Sequence, residues 1–573
     1  LQDAASVAGL LVTTEAMVVT EYVEGPAYMT ASGESEYASA PPSRQFSRYP
    51  KSPVRTGGNK AASRRVNPPP PNSIGGSGPE WRVGKDKPRK GPQSPKDWYL
   101  AADAPKEIEV HEEFKLTVEL TNDKNHPLAA PVGKLSSGTT LTIHIECGER
   151  TSARSVTTGM LVVADEEKPL GLIFTLKADE VGTGLIYVHA FKGHRKLATL
   201  TIEVSIVANT KSASDSSNDA RVSKRIDPNV ALLPGAATIH ISETANDPPV
   251  FIWQYEGESK RFPSATTAKE WQEKIDSVRK LLDAQALGVR PVTGELLKER
   301  FANIGADVAN LLPTELMVEL RSNSLKTLFI IAQRIVIPFE LLMIDNVRLI
   351  NKLDVVRKPY NSKPSPSISY VRVVVAAIAE DEEDGKFWKE AQSVQNRFST
   401  KYGSESIEIL PEPGNLPTRI KQFSKTKGKR INMHVACHGV IEGEGLSLDF
   451  GTAKLTFADF GPAISGSVGL ALLNACSSSI YPSKLAISSE IPERLMRQGA
   501  AAVVATMWNV KNDSAYEFAT CFYDHLLAGG TLADAVRAGR LAAQKHEEDG
   551  DPTCMAYCVY GEPDARISYS KEP

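Results

Sequence analysis

The sequence predicts an α/β domain with a mostly parallel, helix-covered sheet, preceded by an immunoglobulin-like β-sandwich and a disordered N-terminal segment. Three observations predict it. Short apolar runs alternate with helical patterns near the C-terminus, period-2 runs fill the stretch before, and the start is rich in Pro, Ser and Gly. The predicted boundaries of the flexible segment, sandwich, linker and two α/β halves are 1–97, 98–208, 209–229, 230–364 and 365–567.

Composition excludes several classes of protein. A net charge of -3 is no electrostatic match for nucleic acid or an anionic membrane. No apolar run approaches the ~20 residues of a membrane span, and we expect no signal peptide. The six cysteines are too few for a disulfide scaffold of this size, so we expect a reducing, cytoplasmic compartment. The start at Leu1 rather than Met suggests a processed or truncated product.

The first segment is predicted to be a flexible, partly extended linker. Pro, Ser, Gly, Lys and Arg dominate the stretch from Ser32 to Lys96, and four prolines stand at 68–71. Such a composition cannot bury enough apolar surface to offset the entropy of an ordered backbone. Its basic pieces could touch nucleic acid, but a solvated linker is the favoured interpretation.

The second segment has the pattern of half-buried strands. Apolar residues alternate with polar ones in four runs with turn residues between them, for example Phe114, Leu116, Val118 and Leu120. This pattern favours about seven antiparallel strands. We expect His144 and His189 to be strand-surface or satisfied core histidines rather than metal ligands.

The α/β halves follow a Ser-, Asp- and Lys-rich linker. Two helices with one apolar face each open the first half, at 271–282 and 297–308. In the second half, strands alternate with helices. The predicted strands are 371–378, 407–410, the runs that end near His438 and Cys476, 501–507 and 556–560. Strands that alternate with helices indicate a largely parallel sheet.

A histidine and a cysteine follow two of these buried strands. His438 ends the run from Ile431, and Cys476 ends the run from Gly469. Reactive groups of open α/β sheets gather outside the carboxyl ends of the strands, where these two could form a nucleophile and its general base. The backbone N–H groups of Gly439 and Cys476 are the expected oxyanion donors. A cysteine peptidase is therefore the leading hypothesis.

Other functions remain open at this point. His434 shares a strand face with His438, so a zinc site with Cys476 is conceivable, although no fourth ligand is placed nearby. A serine hydrolase is disfavoured because no G-x-S-x-G elbow occurs. A catalytically silent scaffold that binds partners through the sandwich is the main alternative, and the presence of both His438 and Cys476 argues against it.

Several segments resemble the motifs of CHAT peptidases, which belong to the caspase/separase clan. They are 337–342, 435–439, 473–477, 498–510, 522–538 and 557–561. The resemblance covers about residues 237–567. It implies a caspase-like fold with an N-terminal pseudo-caspase half at 230–364, a catalytic half at 365–567, and a dyad of His438 and Cys476. No cofactor or metal is implied. Family members often act in bacterial defence or signalling and are frequently activated by a partner.

The sequence departs from the family pattern in one respect that bears on regulation. The helical repeats to which the family name refers are not found, and a β-sandwich precedes the peptidase instead. We expect this sandwich, tethered by flexible segments on both sides, to dock an activating protein partner, with a passive spacer as the alternative. No direct contact with membrane or nucleic acid is expected.

A basic residue is the expected preference of the first specificity pocket. Asn474 lies two residues before the nucleophile, where the clan often places a pocket wall. The acidic run that starts with Glu380 and Asp381 follows the first strand, and Asp513 follows the strand that ends near Trp508. A carboxylate in the pocket would bind Arg or Lys of a protein substrate. A solvated acidic loop is an equally favoured interpretation.

Overall fold

The computed structural model describes residues 96–571 of the chain, which lie in one compact unit, Lys87–Pro573. The gaps in this description are 164–169, 209–220, 223–231, 243–247, 290–291, 323, 333–336, 361, 363–364, 380–384, 425–428, 443–444, 462–463 and 477–490. The disordered segment predicted at 1–97 therefore lies outside the described residues, except for its last two. So does most of the predicted linker at 209–229.

The sandwich consists of two sheets whose inner faces share one core. Its strands are β1 Lys96–Asp103, β2 Glu107–Glu109, β3 Glu113–Thr121, β4 Ala129–Leu135, β5 Thr140–Cys147, β6 Thr151–Ala153, β7 Thr158–Val162, β8 Leu170–Ala178, β9 Gly182–Lys192, β10 Arg195–Val207 and β11 Arg221–Val222. One sheet has the order β4-β1-β3-β8-β6 and the other β11-β10-β9-β5-β7, with β2 beside β10. The alternating apolar residues of both sheets bury one another.

The strand count is higher than predicted. Eleven strands are present in the described part of this region, against the expected seven or so. Three of the additional strands, β2, β6 and β11, have only two or three residues. Such short strands are fixed by pairing with a neighbour rather than by an apolar period of their own, so the sequence pattern does not reveal them.

The outer face of the second sheet packs against the α/β part of the chain. The His144 ring stacks on Tyr360 with centroids 3.3 Å apart, and Lys196 Nζ donates to the Tyr360 carbonyl oxygen at 3.0 Å. Nearby, Arg195 Nη1 of the sandwich donates to Glu562 Oε1 at 3.2 Å. The sandwich, expected to be tethered by flexible segments on both sides, is thus in polar contact with the α/β part.

Two histidines of the sandwich, His144 and His189, are buried. His189 is fully buried, and its ring contacts the Thr199 hydroxyl at 2.9 Å and a Glu146 carboxylate oxygen at 3.3 Å. His144 contacts the Thr158 hydroxyl at 2.9 Å. Burial lowers the pKa of both imidazoles, and it lowers the pKa of His240 to about 3. His144 and His189 are core histidines with polar partners, one of the two predicted alternatives.

The α/β part is built on one large mixed sheet. Its strands and those of two small ribbons are β12 Ala236–Ser242, β13 Val250–Tyr255, β14 Glu258–Pro263, β15 Thr327–Ile331, β16 Met343–Ile344, β17 Val347–Arg348, β18 Asp354–Arg357, β19 Ser367–Tyr370, β20 Arg372–Ala377, β21 Ile407–Ile409, β22 Ile431–Glu442, β23 Gly445–Asp449, β24 Lys454–Thr456, β25 Val468–Ala475, β26 Ala502–Thr506, β27 Tyr557–Tyr560 and β28 Arg566–Tyr569. The main order is β14-β13-β12-β15-β18-β27-β26-β25-β22-β20-β21.

Helices cover this sheet. They are α1 Ala268–Ala286, α2 Gly294–Leu311, α3 Thr314–Leu320, α4 Leu349–Lys352, α5 Lys386–Tyr402, α6 Leu416–Ser424, α7 Ile491–Arg497, α8 Asn512–Leu527, α9 Leu532–Ala543 and α10 Thr553–Ala556. Apolar residues of strands and helices form one continuous core. The predicted α/β fold with a mostly parallel sheet is confirmed. No helix in the described part of the chain is both long and apolar enough to span a membrane.

A single strand joins the two halves of the sheet. β27 pairs in parallel with β18 of the first half and antiparallel with β26 of the second. The segment before β18 strengthens this junction, because the fully buried Glu340 accepts a hydrogen bond from Arg357 Nη2 at 2.7 Å. Burial opposes the charge of the guanidinium, but Glu340, together with Cys558 and Tyr560, outweighs burial and raises the pKa of Arg357. A buried ion pair therefore lies beside the junction.

Candidate active site

The site lies where β22 and β25 end their parallel pairing. The last paired residues are Cys437 and Ala475, so the next residues, His438 and Cys476, are neighbours in register. Paired residues of neighbouring strands lie about 5 Å apart and point to the same face of the sheet. The sequence predicts that β22 ends at His438, but the strand is longer. It continues to Glu442 by pairing antiparallel with β23, where His438 is opposite Asp449.

Buried residues fix both strands below the site. All eight residues of β25 are buried, as its apolar run predicts for a central parallel strand. The Thr506 hydroxyl donates to the Ala475 carbonyl oxygen at 2.5 Å, and Asn432 Oδ1 accepts from Leu470 N at 2.8 Å. The Phe387 ring contacts the partly exposed His438 ring edge to face, with centroids 5.0 Å apart. The imidazole is therefore supported from α5.

Gly439 packs directly on the backbone of Cys476. A Cβ at position 439 would lie 1.6 Å from the Cys476 carbonyl oxygen and 2.7 Å from its carbonyl carbon. Such distances are impossible without movement of the backbone. The sequence indicated that the Gly439 backbone comes close to substrate, and the structure shows that it comes close to the residue after β25. Only glycine permits this arrangement.

We expect Gly439→Ala to displace Cys476 and to reduce its reactivity in peptide hydrolysis by about 10²-fold or more, because small misplacements of reacting groups are costly. The measurement is kcat/KM on a peptide substrate together with thermal unfolding. Gly461→Ala is the matched control, since a Cβ there would lie 3.5 Å from its nearest neighbour. Equal kcat/KM for Gly439→Ala and Gly461→Ala would contradict the interpretation.

Burial and backbone N–H groups act in opposite directions on the pKa of the Cys476 thiol. Burial raises the pKa of the Cys476 thiol, and hydrogen bonds from the backbone N–H groups of Val510, Gly439 and Cys476 itself act in the opposite direction. The negative charge of Asp283 raises the pKa further. Burial wins, so the thiol form dominates at neutral pH. Three N–H donors at one atom are also the arrangement that can stabilise negative charge on a reacting group.

Asn474 lies inside a buried hydrogen-bond network. Its Nδ2 donates to Glu390 Oε1 at 2.7 Å and to the Ala515 carbonyl oxygen at 3.2 Å, and its Oδ1 accepts from the Tyr557 hydroxyl at 2.7 Å. The same Glu390 oxygen lies 2.9 Å from His434 Nε2. Asn474 is 3% exposed, so its amide holds strands and helices together below the site. A role in a substrate pocket stays a prediction.

The other residues predicted to bind substrate or metal do not share the surroundings of Asn474. Asp513 is exposed, and its carboxylate lies 3.9 Å from Lys386 Nζ. Glu380 and Asp381 lie outside the described residues. His434, the third residue of the conceivable zinc site, is fully buried and contacts the Tyr523 hydroxyl at 3.2 Å. Within the described ranges, no group of three His, Cys, Asp or Glu side chains is arranged to hold a metal ion.

Three residues at the site were not identified from the sequence. Val510 lies in a segment that was noted only for its family resemblance, and Phe387 was expected as an apolar helix residue. Asp283 comes from α1, in the first half of the α/β part, where no chemistry was expected. No local pattern marks Asp283, because its neighbour Asn509 is 226 residues away in sequence.

The fold and the site define an α/β domain with a largely parallel sheet. It carries a histidine and a cysteine side by side at the point where two neighbouring interior strands end their parallel pairing. Residues 309–568 match the family model of the CHAT domain. The family resemblance inferred from the motifs is thereby confirmed for this part of the chain. The match begins later than the expected residue 237, so it does not include β12 or α1. No protein of curated function matches the chain.

Among solved structures, separase of Saccharomyces cerevisiae in its complex with securin is similar, with 10% identity and a TM-score of 0.39. The similarity covers 58% of this chain and 30% of separase, so the chain spans under a third of that protein. Gingipain R, an Arg specific cysteine proteinase, has 14% identity over 52% of this chain and 76% of its own, with a TM-score of 0.35.

A third solved structure matches a shorter part of the chain. The CARDB domain of PF1109 from Pyrococcus furiosus shows 13% identity over 20% of this chain and 96% of its own, with a TM-score of 0.14. All three similarities are distant.

Proposed function

We propose that this protein is a caspase-like cysteine endopeptidase in which Cys476 is the nucleophile and His438 the general base. The observation that carries the proposal is the register of β22 and β25, which makes His438 and Cys476 neighbours. The CHAT match at 309–568 supports it. A reaction of this kind cleaves a peptide bond through an acyl-enzyme intermediate.

In the proposed mechanism His438 removes the thiol proton as substrate binds. The resting thiol has a raised pKa because it is buried, so it needs a base to become a nucleophile at neutral pH. The thiolate attacks the scissile carbonyl carbon, and the protonated imidazole then gives its proton to the leaving amine. The N–H groups of Gly439 and Cys476 are proposed to stabilise the oxyanion.

A thiol-reactive peptide probe tests the proposed function. We expect the probe to label Cys476, and we expect alkylation to abolish peptide hydrolysis while strong chelation leaves it unchanged. Loss of activity on chelation would favour a zinc hydrolase instead. A folded protein that neither reacts with the probe nor cleaves peptides would support the silent scaffold.

The labelling experiment has a built-in control. Cys521 is also partly exposed but lies in α8, outside the site. Cys521→Ser should retain labelling at Cys476, whereas Cys476→Ser should lose it. Labelling that is lost in both variants, or retained in both, would show that the probe does not report the site.

Substrate choice and regulation are further parts of the proposal. A protein substrate with a basic residue before the scissile bond is proposed on the acidic residues Glu380, Asp381 and Asp513 of the sequence, of which Asp513 is among the described residues and is exposed. An activating protein partner, and a role in bacterial defence or signalling, follow from the family. Because the second sheet of the sandwich packs against the α/β part, the outer face of the first sheet is the available surface, where Ile173 is 64% exposed.

The extents of the domains are also proposed. The sandwich at 98–208 and the α/β halves at 230–364 and 365–567 are the units that we expect to observe by limited proteolysis. Tyr360 and Lys358 of the α/β part make polar contacts with the sandwich. We therefore expect the isolated α/β part to be less stable than it would be if only flexible segments joined it to the sandwich.

A further inference from the structure

The segment that follows β26 lies between two anchors. The backbone N–H of Asn509 donates to Asp283 Oδ1 at 2.8 Å. Two residues later, the N–H of Lys511 donates to the Thr553 hydroxyl at 3.0 Å. The N–H between them belongs to Val510, whose hydrogen bond lowers the pKa of the Cys476 thiol. Both neighbours of this donor are therefore held by side chains from elsewhere in the fold.

The two anchors differ in origin. Thr553 belongs to α10 and is fully buried in the second half of the α/β part, where its hydroxyl also donates to Asp551 Oδ1 at 2.5 Å. Asp283 belongs to α1, which lies in the first half and outside the residues that match the CHAT domain. The first half thus reaches the segment beside Cys476 through one carboxylate.

The position of Asp283 is unfavourable for its own helix. It lies in the last turn of α1, where no basic residue is present, and a negative charge near a helix C-terminus is destabilising. Arg279 gives little compensation, since its Nε is 3.9 Å from Asp283 Oδ2. Burial raises the pKa of Asp283, and the hydrogen bond from Asn509 lowers it. The contact with Asn509 is the main favourable interaction of this carboxylate.

We propose that Asp283 is a positioning residue for the nucleophile: it holds the Asn509–Lys511 segment so that the Val510 N–H remains directed at the Cys476 sulfur. The inference rests on the proposed peptidase function. Its negative charge also disfavours the thiolate of Cys476, so the first half of the α/β part limits the reactivity of the free enzyme. The first half, in which no catalytic residue was expected, then influences the protonation state of the Cys476 thiol.

Two substitutions separate the roles of shape and charge. Asp283→Asn keeps an oxygen that can accept the Asn509 hydrogen bond but removes the charge. Asp283→Ala removes both. Asp276→Asn is the matched control, because Asp276 lies on α1 beside the same Arg279, 4.0 Å from its Nη2. It is seven residues, or about 10.5 Å along the helix, from Asp283.

The primary measurement is the rate of iodoacetamide reaction with Cys476 from about pH 6 to about pH 10, which requires no peptidase activity. We expect Asp283→Asn to shift the profile to lower pH by roughly half a unit to one unit, which is about three- to tenfold faster alkylation at neutral pH. Cys437 on β22 and Tyr557 on β27 interact electrostatically with Cys476, His438 is its neighbour in register, and all three are the same in all variants.

The second measurement is kcat/KM for peptide hydrolysis. We expect Asp283→Asn to remain within about threefold of the wild type and Asp283→Ala to lose about 10²-fold, because the donor segment is no longer held. Asp276→Asn should change neither readout. An unchanged alkylation profile for Asp283→Asn, an equal shift for Asp276→Asn, or full activity of Asp283→Ala would overturn the inference. A wild-type protein that cleaves no peptide, with the alkylation shift present, would overturn only the proposed function.

Discussion

Replacement of Cys476 or His438 by alanine will reduce peptide hydrolysis by ~10³-fold or more while the protein remains folded. The reason is that the two side chains act as one unit, the sulfur as nucleophile and the imidazole as its base. The double variant should lose little more activity than either single variant, because removal of one member of the dyad already abolishes the function of the other. The measurement is kcat/KM, with circular dichroism and thermal unfolding to verify the fold.

Helix α8 supplies a matched pair of controls. Cys521 is partly exposed, and His525 Nδ1 lies 3.1 Å from the Cys521 carbonyl oxygen. Cys521→Ala and His525→Ala remove side chains of the same two types outside the site. Both variants should retain wild-type turnover. Wild-type turnover by Cys476→Ala would instead end the peptidase hypothesis at this site.

Glu340→Ala will destabilise the protein by about 3–5 kcal/mol, because it leaves the buried Arg357 guanidinium without its counter-charge. Glu340 is fully buried and Arg357 is 5% exposed, so water cannot replace the carboxylate. The free energy of unfolding from urea denaturation is the measurement. Because Arg357 lies next to β27, loss of the pair should also loosen the junction between the two halves of the sheet.

A surface pair provides the comparison for Glu340. Glu405 and Lys571 form an ion pair of 2.9 Å in which both side chains are largely exposed. Glu405→Ala should leave the denaturation curve almost unchanged, since exposed pairs contribute little. The double variant Glu340→Ala/Arg357→Met should be more stable than Glu340→Ala alone. A Glu340→Ala protein as stable as Glu405→Ala would contradict the assigned role of the buried pair.

The strands that carry the site could be predicted because they are buried on both faces. β25 has eight buried residues and therefore appears in the sequence as a mostly apolar run that stops at Cys476. The run from Ile431 to His438 stops in the same way. Since parallel strands align their carboxyl ends, the proximity of the two strand ends followed from the pattern alone.

The contact between the sandwich and the α/β part could not be predicted from the sequence. Thr142, His144 and Glu146 alternate with apolar residues on β5, which is the pattern of a strand with one solvated face. All three are buried, because polar partners such as Arg497 and Tyr360 come from distant positions. A polar strand face looks the same in sequence whether water or another polar surface covers it.

Asn474 illustrates the same limit within the site. Its position two residues before Cys476 predicts a pocket wall by resemblance to the clan, and the structure adds that its amide is engaged by Glu390, Tyr557 and the Ala515 carbonyl oxygen. Its nearest such partner in sequence is 41 residues away. A buried network of this kind is specified by the folded structure as a whole, and the sequence near Asn474 contains no trace of it.

The central position of β27 has a consequence for the protein during its synthesis on the ribosome. Tyr557–Tyr560 is made after every other strand of the large sheet, yet it is the strand through which the two halves of that sheet pair. A nascent chain that already contains His438 and Cys476 still lacks this connection, and Asn474 still lacks the Tyr557 hydroxyl. Completion of the sheet, and with it of the surroundings of the nucleophile, must therefore wait until translation has passed residue 560.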